Sequence, residues 1–471
     1  MLFYNSVRED NTNMKLFRTK SLTSTISETT ALRRCLSAFD LTIMGIGAII
    51  GAGVFVLTGI AAATKAGPGI CVSYIVSGMA SMFAALAYAE LATSIGGCGS
   101  AYNYSYVVFG EIIAWIIGWD LILEYTLSVS TVAIGWSGYV NDALMSLHVS
   151  LPSQFLHNPF EGGMINLPAV GIIVLLSVLL CVGVKHSSRF NAAIVFIKLL
   201  TIAIFITVAA RHVDVRNWGN FFPFGWTGVM QGAALVFFAY IGFDALSTAA
   251  EETINPQRDL PIGIIVSMVI CTIIYIIVSV LLTGIVPYTT LNVKSPVADA
   301  LMAIGYPVAS GIVAAGAIAG LTTVMLVMYY GLTRIFLAIS RDGLLPQFFA
   351  HTNARTRTPI KIILLSGSVI ALIAGFVPIA SAAELVNIGT LAAFTLVCGS
   401  VIVLRYKQPN LDRPFRLPWN PLIPVLGLIF CLYLMINLAL ITWYFFLIWA
   451  GIGFVIYFLY SYKHSILNRS Q

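Results

Sequence analysis

Apolar residues run through this chain in long stretches separated by short polar intervals. The stretches fall at 38–62, 68–92, 110–143, 167–184, 190–210, 226–250, 261–287, 306–340, 359–378, 382–404, 421–441 and 443–461. Most approach or exceed the length of about 20 residues that an α-helix needs to cross a bilayer core. The pattern therefore predicts an all-α integral membrane protein with twelve transmembrane helices. Several stretches exceed the bilayer thickness, which permits tilt. Loops are expected at 144–166, 211–225, 288–305 and 405–420. Residues 1–37 read as a polar, basic arm without the short apolar core of a cleavable leader.

Composition supports this reading. Of the 471 residues, 59% are hydrophobic and only 9% charged, with a mean hydropathy of +0.93. Soluble domains carry roughly 25% charged residues, and a chain this apolar needs an apolar solvent. The formal charge of +6 is spread between apolar runs instead of lying on one basic face, so it does not point to nucleic acid. It reports orientation instead. With the N-terminus inside, twenty of the 25 Lys and Arg residues fall on the inner side. Lys65, Arg211, Arg216 and Lys294 fall outside, and Lys198 lies deep within a span. Both termini are expected in the cytoplasm. The seven cysteines form no CxxC pair and read as small buried hydrophobes, with no metal site.

Two stretches are rich in glycine and broken by polar residues. Span 1 holds Gly45-Ile46-Gly47-Ala48-Ile49-Ile50-Gly51-Ala52-Gly53, and span 6 holds Phe237-Phe238-Ala239-Tyr240-Ile241-Gly242-Phe243-Asp244. They stand five spans apart. An odd offset inverts the second unit, the pattern of inverted repeats that begin with discontinuous helices. Close packing through Gly47-xxx-Gly51 is the plainer reading of the glycines. A dinucleotide loop fits poorly, because no strand precedes this run. Unwound at mid-membrane, free N–H groups favour a carboxylate and free carbonyls an ammonium. An α-amino acid carries both groups on one carbon.

Ionisable residues inside spans are functional candidates. Lys198 lies about 13 Å beyond Arg189 along a helix of 1.5 Å rise, deep for a snorkelling lysine. A desolvated amine suits a proton carrier. Glu124 shares a helix face with Asp120, as a proton group or as half of an interhelical pair. Asp244 is expected to cap the second half of span 6. Glu90, Glu251 and Glu252 read as solvated or gate-forming ion pairs at cytoplasmic ends. Met325 and Met328 of span 8 read as packing or pocket residues. The six histidines fall in loops or ends and suggest no relay. Neither a nucleophile–base pattern nor a P-loop appears, so enzyme and ATP-driven pump readings are weak.

The stretch from Gly45 to Phe55 resembles the span 1 motif of the amino acid–polyamine–organocation (APC) transporters. Residues Phe237 to Pro256 resemble span 6 of its cationic amino acid transporter branch, bacterial type. Ser340-Arg341-Asp342-Gly343-Leu344-Leu345-Pro346, Arg413-Pro414-Phe415-Arg416 and the lead-in Leu16-Phe17-Arg18-Thr19-Lys20-Ser21-Leu22 match that branch too. The resemblance implies a LeuT-type five-plus-five inverted repeat, with spans 1–5 over 38–210 and spans 6–10 over 226–405. Two additional C-terminal helices at 421–461 and a cytoplasmic tail at 462–471 would follow. It implies a substrate carboxylate on the N–H groups of Ala52 and Gly53, and an amino group on the carbonyls of Ile49, Phe238, Ala239 and Ile241. Met328 is placed in the same pocket. Lys198 would stand where sodium-coupled relatives bind a cation, with Glu124 as a second proton-coupling residue. Several similar bacterial chains carry Thr where this one has Ala52, which removes one hydroxyl link between the site and the Lys198–Glu124 network.

The function expected is import of L-amino acids across the cytoplasmic membrane by alternating access and proton symport. Exchange of amino acids or polyamines, and reception without transport, are the alternatives. No cofactor beyond the coupling proton is expected. The partners expected are the L-amino acid and the lipid bilayer, and not nucleic acid. A small accessory membrane subunit and sterol or lipid contacts stay open.

Overall fold

The computed structural model describes residues 17–20, 36–95, 100–146, 148–183, 188–248, 253–351, 353 and 358–469. Glu251, Glu252, Cys35, Cys98 and the ends of the lead-in at 16–22 lie outside the described residues, as do Arg8, Lys15, Arg33, Arg34, Lys185, His186, Arg355 and Arg357.

The chain folds as α1 (Ala38–Ile49), α2 (Ile70–Ile95), a short α3 (Ala101–Val108), α4 (Glu111–Ser146), α5 (Leu167–Val182), α6 (Ser188–Ala209) and α7 (Gly225–Val236). It continues as α8 (Pro256–Ile285), a short α9 (Pro296–Ala303), α10 (Pro307–Arg341), α11 (Ile360–Phe376), α12 (Ile379–Lys407), α13 (Leu422–Ile436) and α14 (Leu440–Ile456). Extended pairing among the described residues is limited to one isolated bridge, Leu36 with Thr253. Helices satisfy every backbone group within the segment, which hydrocarbon demands. Seven helices among the described residues are long and apolar enough to cross a membrane, and α1, α5, α11 and α13 are shorter apolar helices. One of the seven is the 43-residue run Gly53–Ile95. As a single helix it would measure about 65 Å, twice a bilayer core of about 30 Å. Gly67, at φ 60°, divides it, and a Cβ there would meet Pro223 Cγ at 2.3 Å.

α4 forms the centre of the bundle, packed on α10 and α12. α8 packs on α1 and α2, α6 on α10, α5 on α11, and α13 on α12. α14 stands at the rim with only 17% of its apolar window buried, presenting residues such as Leu440 and Leu447 outward.

Spans 1 and 6 are each a pair of helical arms, matching the expected discontinuity. One expectation is corrected. The expected loop at 288–305 contains α9, which starts on Pro296 at its first helical position. The interval before span 3 contains α3, started by Ser100, whose hydroxyl accepts the Asn103 N–H at 3.4 Å. At 8 residues each, both helices are too short to register as apolar runs.

Candidate functional site

α1 ends at Ile49, Ile50 is extended (φ −72°, ψ 105°), and helical structure resumes at Gly53 in a π-turn, Gly53–Leu57. In span 6, α7 gives way to a 3₁₀ turn, Phe237–Tyr240, then to extended Ile241 (φ −64°, ψ 138°) and to Gly242 at φ 117°. The two breaks touch. A Cβ on Gly53 would lie 2.3 Å from Cα of Ala239, and one on Gly242 would lie 2.8 Å from the Ala48 carbonyl. Glycine is required here both for close approach and for positive φ. Asp244 holds the break itself: its Oδ1 accepts the Gly242 N–H at 3.2 Å, from two residues earlier in the chain. The expected cap therefore reaches back into the break.

Breaking a helix leaves carbonyls without intrahelical donors, and side chains from other helices supply these. Lys198 Nζ, on α6, donates to the carbonyls of Gly47 at 2.8 Å and Ile50 at 3.0 Å. Its side chain is 1% exposed, and a Cβ at Gly320 of α10 would crowd its Cε at 2.9 Å. Lys198 therefore does not snorkel: the ammonium caps the C-terminal end of α1, where the helix dipole is negative. The Tyr275 hydroxyl of α8 lies 2.9 Å from both the Ile49 and Ala239 carbonyls, one in each break. Tyr74 of α2 donates to the Gly53 carbonyl at 3.2 Å and pairs with the Thr58 hydroxyl at 2.6 Å. Asn387 of α12 donates to the Ala234 and Leu235 carbonyls at 2.7 and 2.9 Å, capping α7.

Between the breaks lies a small cavity of about 20 Å³, lined by Ala48, Ile49, Gly51, Ala52, Gly53, Phe238 and Ile241. Ser128 and Val132 of α4 and Val324 and Met328 of α10 complete its wall. Six expected site residues, Ile49, Ala52, Gly53, Phe238, Ile241 and Met328, meet there. Ala239 is not in the lining: it packs against Gly53 and its carbonyl faces Tyr275. Met325 is buried in packing. The first N–H groups of the arm that begins at Gly53 lack intrahelical acceptors, as at any helix start. Glu124 is buried outside the cavity, facing Thr390 of α12 and within electrostatic reach of Asp120 and Asp244. Among the described interactions none joins Glu124 to Lys198. Sequence reasoning missed Tyr275, Tyr74, Asn387 and Ser128. For the tyrosines a signal existed, because a buried phenol usually finds a hydrogen-bond partner.

The remaining motifs act at one end of the bundle. Glu90, read as a solvated or gating charge, is buried. It takes the Arg405 guanidinium in a bidentate pair at 2.8 and 2.5 Å and the Leu417 N–H at 2.7 Å. Arg413 donates to the Gln408 and Leu411 carbonyls at 2.7 and 2.8 Å, closing the loop after α12. Asp342 accepts from Tyr102 at 2.7 Å and from Lys20 at 3.3 Å. Among the described residues no group of three His, Cys, Asp or Glu side chains is placed to hold a metal ion.

A many-helix bundle with an apolar exterior and a cavity between two interrupted helices defines a multi-pass membrane transporter. The chain belongs to the amino acid permease family, which it matches over residues 36–460. It is 48% identical to the methylthioribose transporter of Bacillus subtilis, over 96% of this chain and 99% of that one. It is 49% identical to the branched-chain amino acid permease BcaP of the same organism, over the same shares. The vacuolar cationic amino acid transporter 4 of Arabidopsis thaliana is 40% identical over 80% of this chain and 64% of that protein. These relatives are transporters and not enzymes, and so is this chain.

Proposed function

We propose that this permease imports L-amino acids by proton symport, alternating access around the cavity between the two breaks. The observation that carries the reading is the pairing itself: the two breaks touch at Gly53 and Ala239, and residues of both line one cavity. The Ala52 and Gly53 N–H groups bind the substrate carboxylate. The carbonyls of Ile49, Phe238 and Ile241 receive its ammonium, Ile49 through the lone pair that Tyr275 leaves free. Lys198 holds α1 as a sodium ion would, and its proton moves with substrate, with Glu124 as a second proton group. The fold is the LeuT-type repeat, spans 1–5 and 6–10 inverted and two helices added, twelve in all. The protein sits in the cytoplasmic membrane with both termini inside.

Val132, Val324 and Met328 face the substrate side chain, with Ser128 the single hydroxyl. No carboxylate lines the cavity among the described residues, and an unpaired buried charge is costly. This supports neutral side chains, as does the likeness to a branched-chain amino acid permease. A second reading, methylthioribose uptake, is favoured by the 48% identity to a transporter of that name. A thermal-shift screen of the purified protein against the common L-amino acids and methylthioribose separates them. Stabilisation by neutral aliphatic amino acids is expected. Stabilisation by lysine and arginine alone, or by methylthioribose alone, contradicts the proposal.

A further inference from the structure

Asp120, Glu124, Ser128 and Val132 stand four residues apart on α4, so each neighbours the next along the helix at about 6 Å per step. Ser128 and Val132 line the cavity. Glu124 lies one turn, and Asp120 two turns, toward the Glu111 end of the helix. All three polar side chains are buried, at 2% exposure for Ser128 and Glu124 and 4% for Asp120. The Ser128 hydroxyl and both Asp120 carboxylate oxygens have no hydrogen-bond partner among the described residues. Buried, unpaired carboxylates inside a membrane bundle are rare because they are costly, and they persist where an ion or proton uses them.

The opposite wall is shaped for these groups. A Cβ on Gly389 of α12 would come within 2.6 Å of Asp120 Oδ1, so the glycine leaves room for the carboxylate where it stands. Thr390, the next residue, faces Glu124. The other titratable groups around Glu124 are Asp244 from the second break, Tyr125 from α4 and Tyr88 from α2. None of them is a cation, and Lys198 spends its hydrogen bonds on α1. A negative file with no counter-ion against Asp120 or Glu124 among the described residues selects for the smallest positive ligand.

We propose that Asp120 is a proton-binding site of this permease, joined to the substrate cavity through Glu124 and Ser128. A proton reaching the cavity passes along Ser128 to the Glu124 carboxylate and then to Asp120. Each transfer makes one O–H bond and breaks another, so Glu124 regains its charge as Asp120 loses its own. The inference rests on the symport reading above and adds a proton site that does not involve Lys198.

Proteoliposomes carrying a lumenal pH dye test it, with wild type, Asp120→Asn, Asp120→Glu and Ser128→Ala measured side by side. Counterflow of labelled substrate at equal pH on both sides reports binding and alternating access without the proton. Asp120→Asn is expected to retain counterflow within about threefold while substrate-driven lumenal acidification falls at least about tenfold, inside the usual span of coupling effects. Asp120→Glu is expected to restore acidification, and Ser128→Ala to slow it. Wild-type acidification per substrate in Asp120→Asn overturns the proposal. So does loss of counterflow in both Asp120 variants, which assigns the residue to packing. If wild type itself takes up substrate without acidification, the symport reading fails and this one with it.

Discussion

At the scale of single residues, the site is held by side chains that satisfy broken backbone. Tyr275 shows this most directly, with one hydroxyl between the carbonyls of Ile49 and Ala239. Tyr275→Phe leaves at least one buried carbonyl without a donor, at a cost of about 1–3 kcal/mol. A lower melting temperature and weaker substrate binding are expected in that variant. An unchanged melting temperature would show that the hydroxyl does not brace the breaks. Lys198 was legible in the sequence because it is a cation deep inside an apolar run, and its burial matched. Its partners were not, since carbonyls of any residue look alike in a sequence. The partner of Tyr275 was hidden for the same reason, since Ile49 lies 226 residues away. Met325 and Met328 carry the same chemistry three residues apart, and only the rotation of α10 against α4 decides which one meets the cavity.

At the scale of elements, the long apolar helices and the two breaks were readable, because apolar length and glycine clusters are local properties. α3 and α9 were not, being short. α9 matters to the far arm of span 1, beyond the break, where a Cβ on Gly59 would meet Pro296 at 2.4 Å. Its N-terminal Ser295 bonds Asp299 Oδ2 at 3.3 Å. Burial, and then the nearby charge of Asp142, push the Asp299 carboxyl up to about 6. A carboxyl raised by docking favours the docked hairpin when protonated. That stabilisation is full below the ordinary aspartate range and is lost as pH rises through about 6. Hydrogen exchange over 291–303, corrected for intrinsic rates, is therefore expected to be faster at high pH than at low pH. Asp299→Asn is expected to flatten this dependence. An equal slope in both proteins would place the titration elsewhere.

At the scale of the whole molecule, family and topology carry more than any one contact. The basic residues assigned to the inner side do meet one another's segments: Arg405 and Arg413 close on Glu90, and Lys20 on Asp342. The motifs that signalled the family thus prove to be structural fasteners as well, which explains why they were easy to recognise and said little about substrate. What the sequence left hidden was how helices distant along the chain combine, with α4, α10 and the two breaks building one cavity. The central claim is that the breaks and Lys198 form a proton-driven amino acid carrier. Uptake of a labelled neutral L-amino acid into proteoliposomes, in sodium-free buffer with an inward proton gradient, tests it most directly. Accumulation that collapses when the gradient is dissipated, and that Lys198→Ala abolishes, is the predicted result. Accumulation that requires sodium and ignores the proton gradient, or that persists in Lys198→Ala, would contradict it.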